Sequence, residues 1–225
     1  MYILRSRINL GTWAVFIVLV ILILQNFLSQ DVSISRLPIY GGVHLSDQAK
    51  NEIWGASKLI VFLPTAIFWF LDWRKALWKA VAISNIVLTL DLLMSTALLV
   101  LNLSNQLPNQ ESSLIRDTLL VLVINLVLFS LWYWIIDSPK LRRGTPREDE
   151  PWDFLFPQRI NSISGYKDWI PNYLDYFFLA FTASFTFGPA DTLPISARAK
   201  ILMMMQICIS VVNIVVLAGY ALTGL

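Results

Sequence analysis

Uninterrupted apolar runs of membrane-crossing length constrain this chain more than any other feature of its sequence. The clearest is Ala14–Leu24, which contains no charged residue and forms the centre of a longer run. A helix needs about 20 apolar residues to cross a hydrocarbon core of about 30 Å. Only 14% of the 225 residues are charged, against about a quarter in a soluble domain. The chain is therefore predicted to be an all-α integral membrane protein.

A bundle of about six transmembrane helices is predicted, in a single transmembrane domain covering residues 1–225. The predicted spans are 11–28, 53–71, 80–103, 114–136, 172–187 and 197–222. The fifth span is short, and it either crosses the membrane or is re-entrant. A positive start before an apolar run is also typical of a signal peptide, but Gln25–Gln30 lacks a small-x-small cleavage pattern. We therefore interpret the first run as an uncleaved span.

Lysine and arginine are distributed unequally between the polar connections. The longest connection, 137–170, is predicted to be a cytoplasmic interfacial loop, and it holds six of them: Lys140, Arg142, Arg143, Arg147, Arg159 and Lys167. With six crossings and the N-terminus inside, eleven of the seventeen basic residues fall on the inner side. Positive charge is enriched on the cytoplasmic side of membrane proteins. The prediction is a multi-pass protein of a bacterial plasma (inner) membrane, with both termini cytoplasmic.

One ionisable residue, Asp91, lies at the centre of the third predicted span. Ser84, Asp91, Ser95 and Asn102 are spaced 7, 4 and 7, so all four fall within about 40° on an α-helix. A charge at mid-membrane depth costs about 2.5–3.5 kcal/mol on insertion scales. Asp91 is therefore expected to face the interior of the bundle.

Uncharged polar residues form similar stripes on later helices. Asn125 lies in the fourth span, and Gln206, Ser210 and Asn213 share one face of the last. In one interpretation, Asp91, Asn125 and Asn213 line a hydrated path for a small cation or proton. In the other, the stripes form interhelical hydrogen bonds, worth about 0.6 kcal/mol per pair. We favour the second interpretation for the uncharged residues and keep both for Asp91.

Several kinds of functional site have no counterpart in the sequence. The single cysteine, Cys208, and the single histidine, His44, exclude an internal disulfide and supply no cluster of metal ligands. No nucleophile–base pair or phosphate-binding glycine loop is present. We therefore expect no catalytic residue, no cofactor and no metal, and the net charge of +2 does not indicate nucleic acid. Membrane lipid is the expected partner, with a small cation or proton, or a second copy of the chain, as further candidates.

The segment Phe181–Asp191 resembles the pore helix and filter of two-span potassium-channel modules, whose filter reads T-V-G-Y-G-D. The matching residues are Thr186, Gly188 and Asp191, and the departures are Phe187, Pro189 and Ala190. Such a filter needs glycines with unusual dihedral angles, which the alanine disfavours, and the proline also restricts the glycine before it. These departures disfavour a potassium filter.

The last third of the chain resembles an uncharacterised family of bacterial inner-membrane proteins. The resemblance rests on D-F-L-F-P-Q at 153–158, Asp175-Tyr176, Phe181-Thr182, F-G-P-A-D-T-L-P-I-S at 187–196, and the start of the last span at 199–206. It implies a rigid structural turn, formed by Gly188, Pro189, Asp191, Thr192 and Pro194. In that turn Asp191 is expected to cap backbone amides, and Ser196 to cap the last helix.

Two functional hypotheses remain open at the level of the sequence. The first is a channel-like or transporter-like protein for a small cation or proton, suggested by the polar stripes and the pore-like segment. The second is a non-catalytic membrane scaffold, whose aromatic belts and basic loop dock partners or anionic lipid. An enzyme is not expected.

Overall fold

A computed structural model describes residues 2–28, 47–105, 111–143, 152–160, 169–189 and 191–223. Within these residues the chain is predominantly helical. The helices are α1 (Tyr2–Asn26), α2 (Asp47–Phe70), α3 (Arg74–Asn105), α4 (Glu111–Arg143), α5 (Pro157–Ile160), α6 (Tyr173–Thr186) and α7 (Ala197–Thr223). The strands are β1 (Phe154–Leu155) and β2 (Leu193–Pro194). Four residues named in the sequence analysis, His44, Arg147, Lys167 and Ala190, lie outside the described residues.

Three of the helices are long and apolar enough to cross a membrane. They contain the candidate spans Arg74–Leu103, Ser113–Asp137 and Ala197–Leu222. Shorter apolar segments occupy Gly11–Asn26 and Ile60–Phe70. The predicted helical membrane protein is confirmed at this level, and the count of six crossings stays a prediction. Helix α6 has 14 residues, a length of about 21 Å, which is less than the thickness of a hydrocarbon core.

The fourth helix extends beyond the span predicted at 114–136. The candidate span Ser113–Asp137 has nearly the same bounds as that prediction, and α4 continues past it to Arg143. The polar connection is also more ordered than a loop, because it contains β1 and α5. The helix continues through Asp137 because that side chain is buried and hydrogen-bonded rather than exposed to solvent.

The packing divides the described chain into two compact units. The first comprises the residues up to Ile124 together with those from Val212 onward, and the second comprises Asn125–Val211. In the first unit, α1, α2 and α3 pack on one another around fully buried residues such as Val18, Ile21 and Leu99.

The second unit is organised around a short antiparallel pairing of β1 with β2. Phe154 lies opposite Pro194, and the backbone amide of Ile195 donates to the carbonyl of Asp153 at 2.8 Å. The ladder is short because a proline has no amide hydrogen to extend it. The Phe154 ring is fully buried, and its centroid lies 5.0 Å from that of Tyr133. Thus two motif segments separated by about 40 residues of sequence form one piece of structure.

Helix α6 is defined at both ends by local backbone chemistry. Asn172 accepts a hydrogen bond from the amide of Leu174 at 2.8 Å, and Asp175 accepts from the amide of Asn172 at 2.7 Å. This reciprocal pair is a capping box, which satisfies amides that the first helical turn leaves free. At the other end Phe187 adopts a left-handed conformation, with φ of 57°, and this ends the helix.

Candidate functional site

The polar stripe of α3 is buried within the first unit. Asp91 is 3% exposed, and the other three members, Ser84, Ser95 and Asn102, are buried as well. The Ser84 hydroxyl donates to the carbonyl of Val61 on α2 at 3.2 Å and lies 3.1 Å from Thr65 Oγ1. At this end the stripe therefore joins α3 to α2 through hydrogen bonds.

The C-terminal part of α7 belongs to the same unit and binds α3. Asn213 Nδ2 donates to Thr96 Oγ1 at 3.2 Å, and Tyr220 Oη donates to the carbonyl of Leu99 at 2.9 Å. Asn213 is fully buried. These contacts are of the interhelical kind favoured for the uncharged stripe residues.

A second polar cluster lies within the second unit. Asn125 Nδ2 donates to Ser210 Oγ at 2.8 Å, and this bond joins residues at the centres of two candidate spans. Nearby, Gln206 Nε2 donates to the carbonyl of Ala180 and to Ser184 Oγ, both at 2.8 Å. The cluster therefore connects α4, α6 and α7.

Tyr133 completes this cluster, and the sequence did not predict its role. Its hydroxyl donates to Gln206 Oε1, so the glutamine uses both ends of its amide. Tyr133 is fully buried and lies in a run of aromatic residues that reads as an interfacial belt. A regular aromatic belt gives no sign that one ring points inward, so the sequence carried no signal for this contact.

The structure separates the five predicted polar residues into two sets. Asn125, Gln206 and Ser210 come together in the second unit, while Asp91 and Asn213 belong to the first. Only Asp91 among them is ionisable.

An ion pair lies at the end of the second unit where β1 and β2 pair. Arg198 donates from Nε and Nη2 to the two carboxylate oxygens of Asp153, at 2.6 and 2.5 Å. Ser196 Oγ donates to the same carboxylate at 2.5 Å and accepts from the amide of Ala199 at 3.2 Å, as a helix cap does. Arg198 Nη2 also lies 3.3 Å from the carbonyl of Ile136 on α4. The start of α7 is thereby bound to both β1 and the end of α4.

A second buried carboxylate, that of Asp137, lies beside this ion pair. It accepts hydrogen bonds from Tyr176 Oη at 2.7 Å and from the amide of Asp153 at 3.3 Å. Asp137 is fully buried, although the sequence placed it at the start of a polar loop. A carboxylate at the end of an apolar span is normally solvated, so the sequence offered no reason to expect these partners.

Arg159 supplies a further positive charge to this end of the unit. Its guanidinium carbon lies 3.4 Å above the ring centroid of Trp152, in the geometry of a cation–π contact. Burial lowers the pKa of Arg159, while the charge of Asp137 and the nearby Tyr176 oppose that shift. Arginine remains charged at any physiological pH. This end of the unit therefore brings the carboxylates of Asp137 and Asp153 close to the guanidinium groups of Arg159 and Arg198.

The predicted turn after α6 is reproduced only in part by side-chain contacts. Asp191 is exposed and accepts a hydrogen bond from Thr192 Oγ1 at 3.2 Å, rather than from a backbone amide of a described residue. Thr192 is buried, and Pro194 lies in β2. Gly188 has open space where a Cβ would lie, and no φ in the left-handed range requires a glycine there.

Comparison with family models, with curated proteins and with solved structures finds no match for this chain. The chemistry of the site must therefore be argued from its geometry. In the part of the chain that the structure describes, no group of three or more His, Cys, Asp or Glu side chains could hold a metal ion.

Proposed function

We propose that this chain is a non-catalytic membrane scaffold that holds anionic lipid at its basic, cytoplasmic end. The observation that carries the proposal is the folded interfacial segment of the second unit. Instead of a free loop, β1 is bound to β2, and Asp153 is bound to Arg198 at the start of α7. Such an ordered segment can hold charged groups at a constant height above the membrane.

Basic residues precede this segment, at the C-terminal end of α4. The candidate span ends at Asp137, and the helix continues to Arg143, so Lys140, Arg142 and Arg143 lie in its last two turns. Helical residues beyond the hydrocarbon core lie at the height of lipid headgroups. Each lysine or arginine near an anionic surface contributes about 1 kcal/mol of attraction. Asn125 donates to Ser210, and Gln206 donates to the carbonyl of Ala180. These hydrogen bonds support a structural role for the uncharged stripe residues.

Lipid retention tests this proposal. Purified protein is incubated with vesicles of phosphatidylglycerol or of phosphatidylcholine, and the retained lipid is counted by native mass spectrometry. The triple variant Arg142→Gln, Arg143→Gln, Arg147→Gln is expected to lose most of the preference for phosphatidylglycerol. A matched triple variant at Arg74, Lys75 and Lys79 controls for total charge. The proposal fails if both variants keep the preference, and an acidic protein released only by the first triple would identify a protein partner instead.

A second candidate function is transport of a small cation or proton, and the burial of Asp91 favours it. Asp91 is 3% exposed and lies near the middle of a candidate span, where a charged carboxyl group costs free energy of insertion. Such residues often mark ion paths. Flux of K⁺, Na⁺ and H⁺ into proteoliposomes is measured for the wild type, for Asp91→Asn and for Asp117→Asn. Asp117 is a matched control because it is also a buried aspartate within a candidate span. Absence of flux for all three ions in the wild type would exclude this candidate.

A further inference from the structure

The second unit contains enough contacts to decide whether α6 crosses the membrane. We infer that α6 is re-entrant: the chain enters and leaves the membrane on one side, and α7 begins on the side where α4 ends. This inference concerns the topology of the chain and is independent of the proposed function.

Helices α4 and α7 contact each other at two matching depths. Asn125 lies twelve residues before Asp137, about 18 Å along α4, and Ser210 lies thirteen residues after Ala197, about 20 Å along α7. These two residues are hydrogen-bonded at 2.8 Å. At the ends of the same helices, Arg198 Nη2 lies 3.3 Å from the carbonyl of Ile136. Two contacts at matching depths require α4 and α7 to run antiparallel, with Asp137 and Ala197 at the same membrane face.

The segments before and after α6 are bound to each other. Before α6, Asp153 is bound to the end of α4 through its amide, and Phe154 is paired with Pro194. After α6, the chain returns to that same pairing at β2. Both ends of the intervening segment therefore lie at one membrane face, and a helix of about 21 Å between them makes no crossing.

Side chains satisfy part of the backbone of α6 and of its C-terminal end, where Thr186 and Phe187 are exposed and Gly188 is half-buried. Ala180 and Ala183 are fully buried, and the Ala180 carbonyl accepts from Gln206 Nε2. At the end of α6, Thr186 Oγ1 lies 2.8 Å from the carbonyl of Thr182 and 3.1 Å from that of Gly188.

The distribution of basic residues agrees with a re-entrant α6. With six crossings, Arg198 and Lys200 at the start of α7 fall on the outer side. With α6 re-entrant, they join the inner side, which raises the inner count from eleven to thirteen of the seventeen lysines and arginines. The positive-inside rule therefore favours this topology more strongly than the one predicted above, and it places the end of α7 on the outer side.

Single-cysteine labelling tests the inference, since Cys208 is the only native cysteine of the chain. On a Cys208→Ser background, separate variants carry Lys140→Cys after the α4 span, Asp191→Cys after α6, or Thr223→Cys at the end of α7. Intact cells and inside-out vesicles are treated with a membrane-impermeant maleimide. Lys140→Cys and Asp191→Cys are expected to react in the same preparation, and Thr223→Cys in the other.

A crossing α6 would reverse both results. Asp191→Cys would then react from the side opposite Lys140→Cys, and Thr223→Cys from the same side, and either outcome overturns the inference. The two reporters are independent, so Thr223→Cys decides the question if Asp191→Cys does not yield a monodisperse protein. Leu193→Cys, at an exposed position of β2, provides a second reporter on the returning segment.

Discussion

Arg198 and Asp153 are bound through two parallel hydrogen bonds, although 45 residues separate them in sequence. The Asp153 side chain is 1% exposed, while the Arg198 side chain is 56% exposed, so one side of the pair is buried and the other reaches solvent. Paired hydrogen bonds between an arginine and a carboxylate add geometric specificity as well as energy. This contact holds the start of α7 against β1.

Removing that carboxylate should destabilise the second unit. In Asp153→Ala, Arg198 loses two charge-assisted hydrogen bonds and Ser196 loses one. We expect a loss of about 1–3 kcal/mol in the free energy of unfolding. Tryptophan fluorescence during denaturant unfolding in detergent measures it. Arg74→Ala is the control, because its pair with Asp72 is exposed on both sides and should contribute less than about 1 kcal/mol. Equal losses in both variants would show that burial of the pair is unimportant.

The hydrogen bond from Tyr133 to Gln206 should couple α4 to α7. Tyr133→Phe and Gln206→Leu remove the two ends of one buried hydrogen bond, and a double-mutant cycle should give a coupling energy of about 0.6–1.7 kcal/mol. A parallel cycle of Tyr133→Phe with Met204→Leu, an exposed residue of the same helix, should be additive. Additivity in both cycles would contradict the contact.

Close packing at Gly219 should be intolerant of a large side chain. A Cβ at this position would lie 3.0 Å from Leu103 Cδ2, so Gly219→Ile should reduce stability by about 1–3 kcal/mol through overpacking. Adding Leu103→Ala should restore part of that loss by providing room. Gly188→Ala, whose Cβ would meet no atom within 4 Å, is the matched control and should change stability little. Thermal unfolding in detergent compares the three variants.

The capping box at the start of α6 should stabilise its first turn. Asn172→Ala removes the acceptor for the amide of Leu174 and should cost about 0.5–2 kcal/mol, whereas Asn172→Ser retains a capping hydroxyl and should cost less. Hydrogen exchange measured by mass spectrometry is the direct test, because the amides of residues 173–175 should exchange faster in the alanine variant. Unchanged exchange at these amides would show that the turn does not depend on the cap.

Much of the helical framework follows from the hydropathy and period of the sequence. The predicted spans 80–103 and 197–222 agree closely with α3 and α7, because long apolar runs can satisfy their backbone in a membrane only as helices. The same periodicity placed Ser84, Asp91, Ser95 and Asn102 on one face of α3, and all four are buried. Helix α4 continues past its predicted span through Asp137, whose carboxylate is buried and hydrogen-bonded to Tyr176.

Pairing between distant segments could not be predicted in this way. Helical period and charge distribution are local properties, whereas the bonds of Asp153 to Arg198, Asp137 to Tyr176 and Tyr133 to Gln206 join residues 39 to 73 positions apart. Their formation depends on which helix faces come into register when the apolar surfaces pack. Apolar length and period therefore determine that the chain forms membrane helices, and tertiary packing decides which polar groups those helices bury against one another.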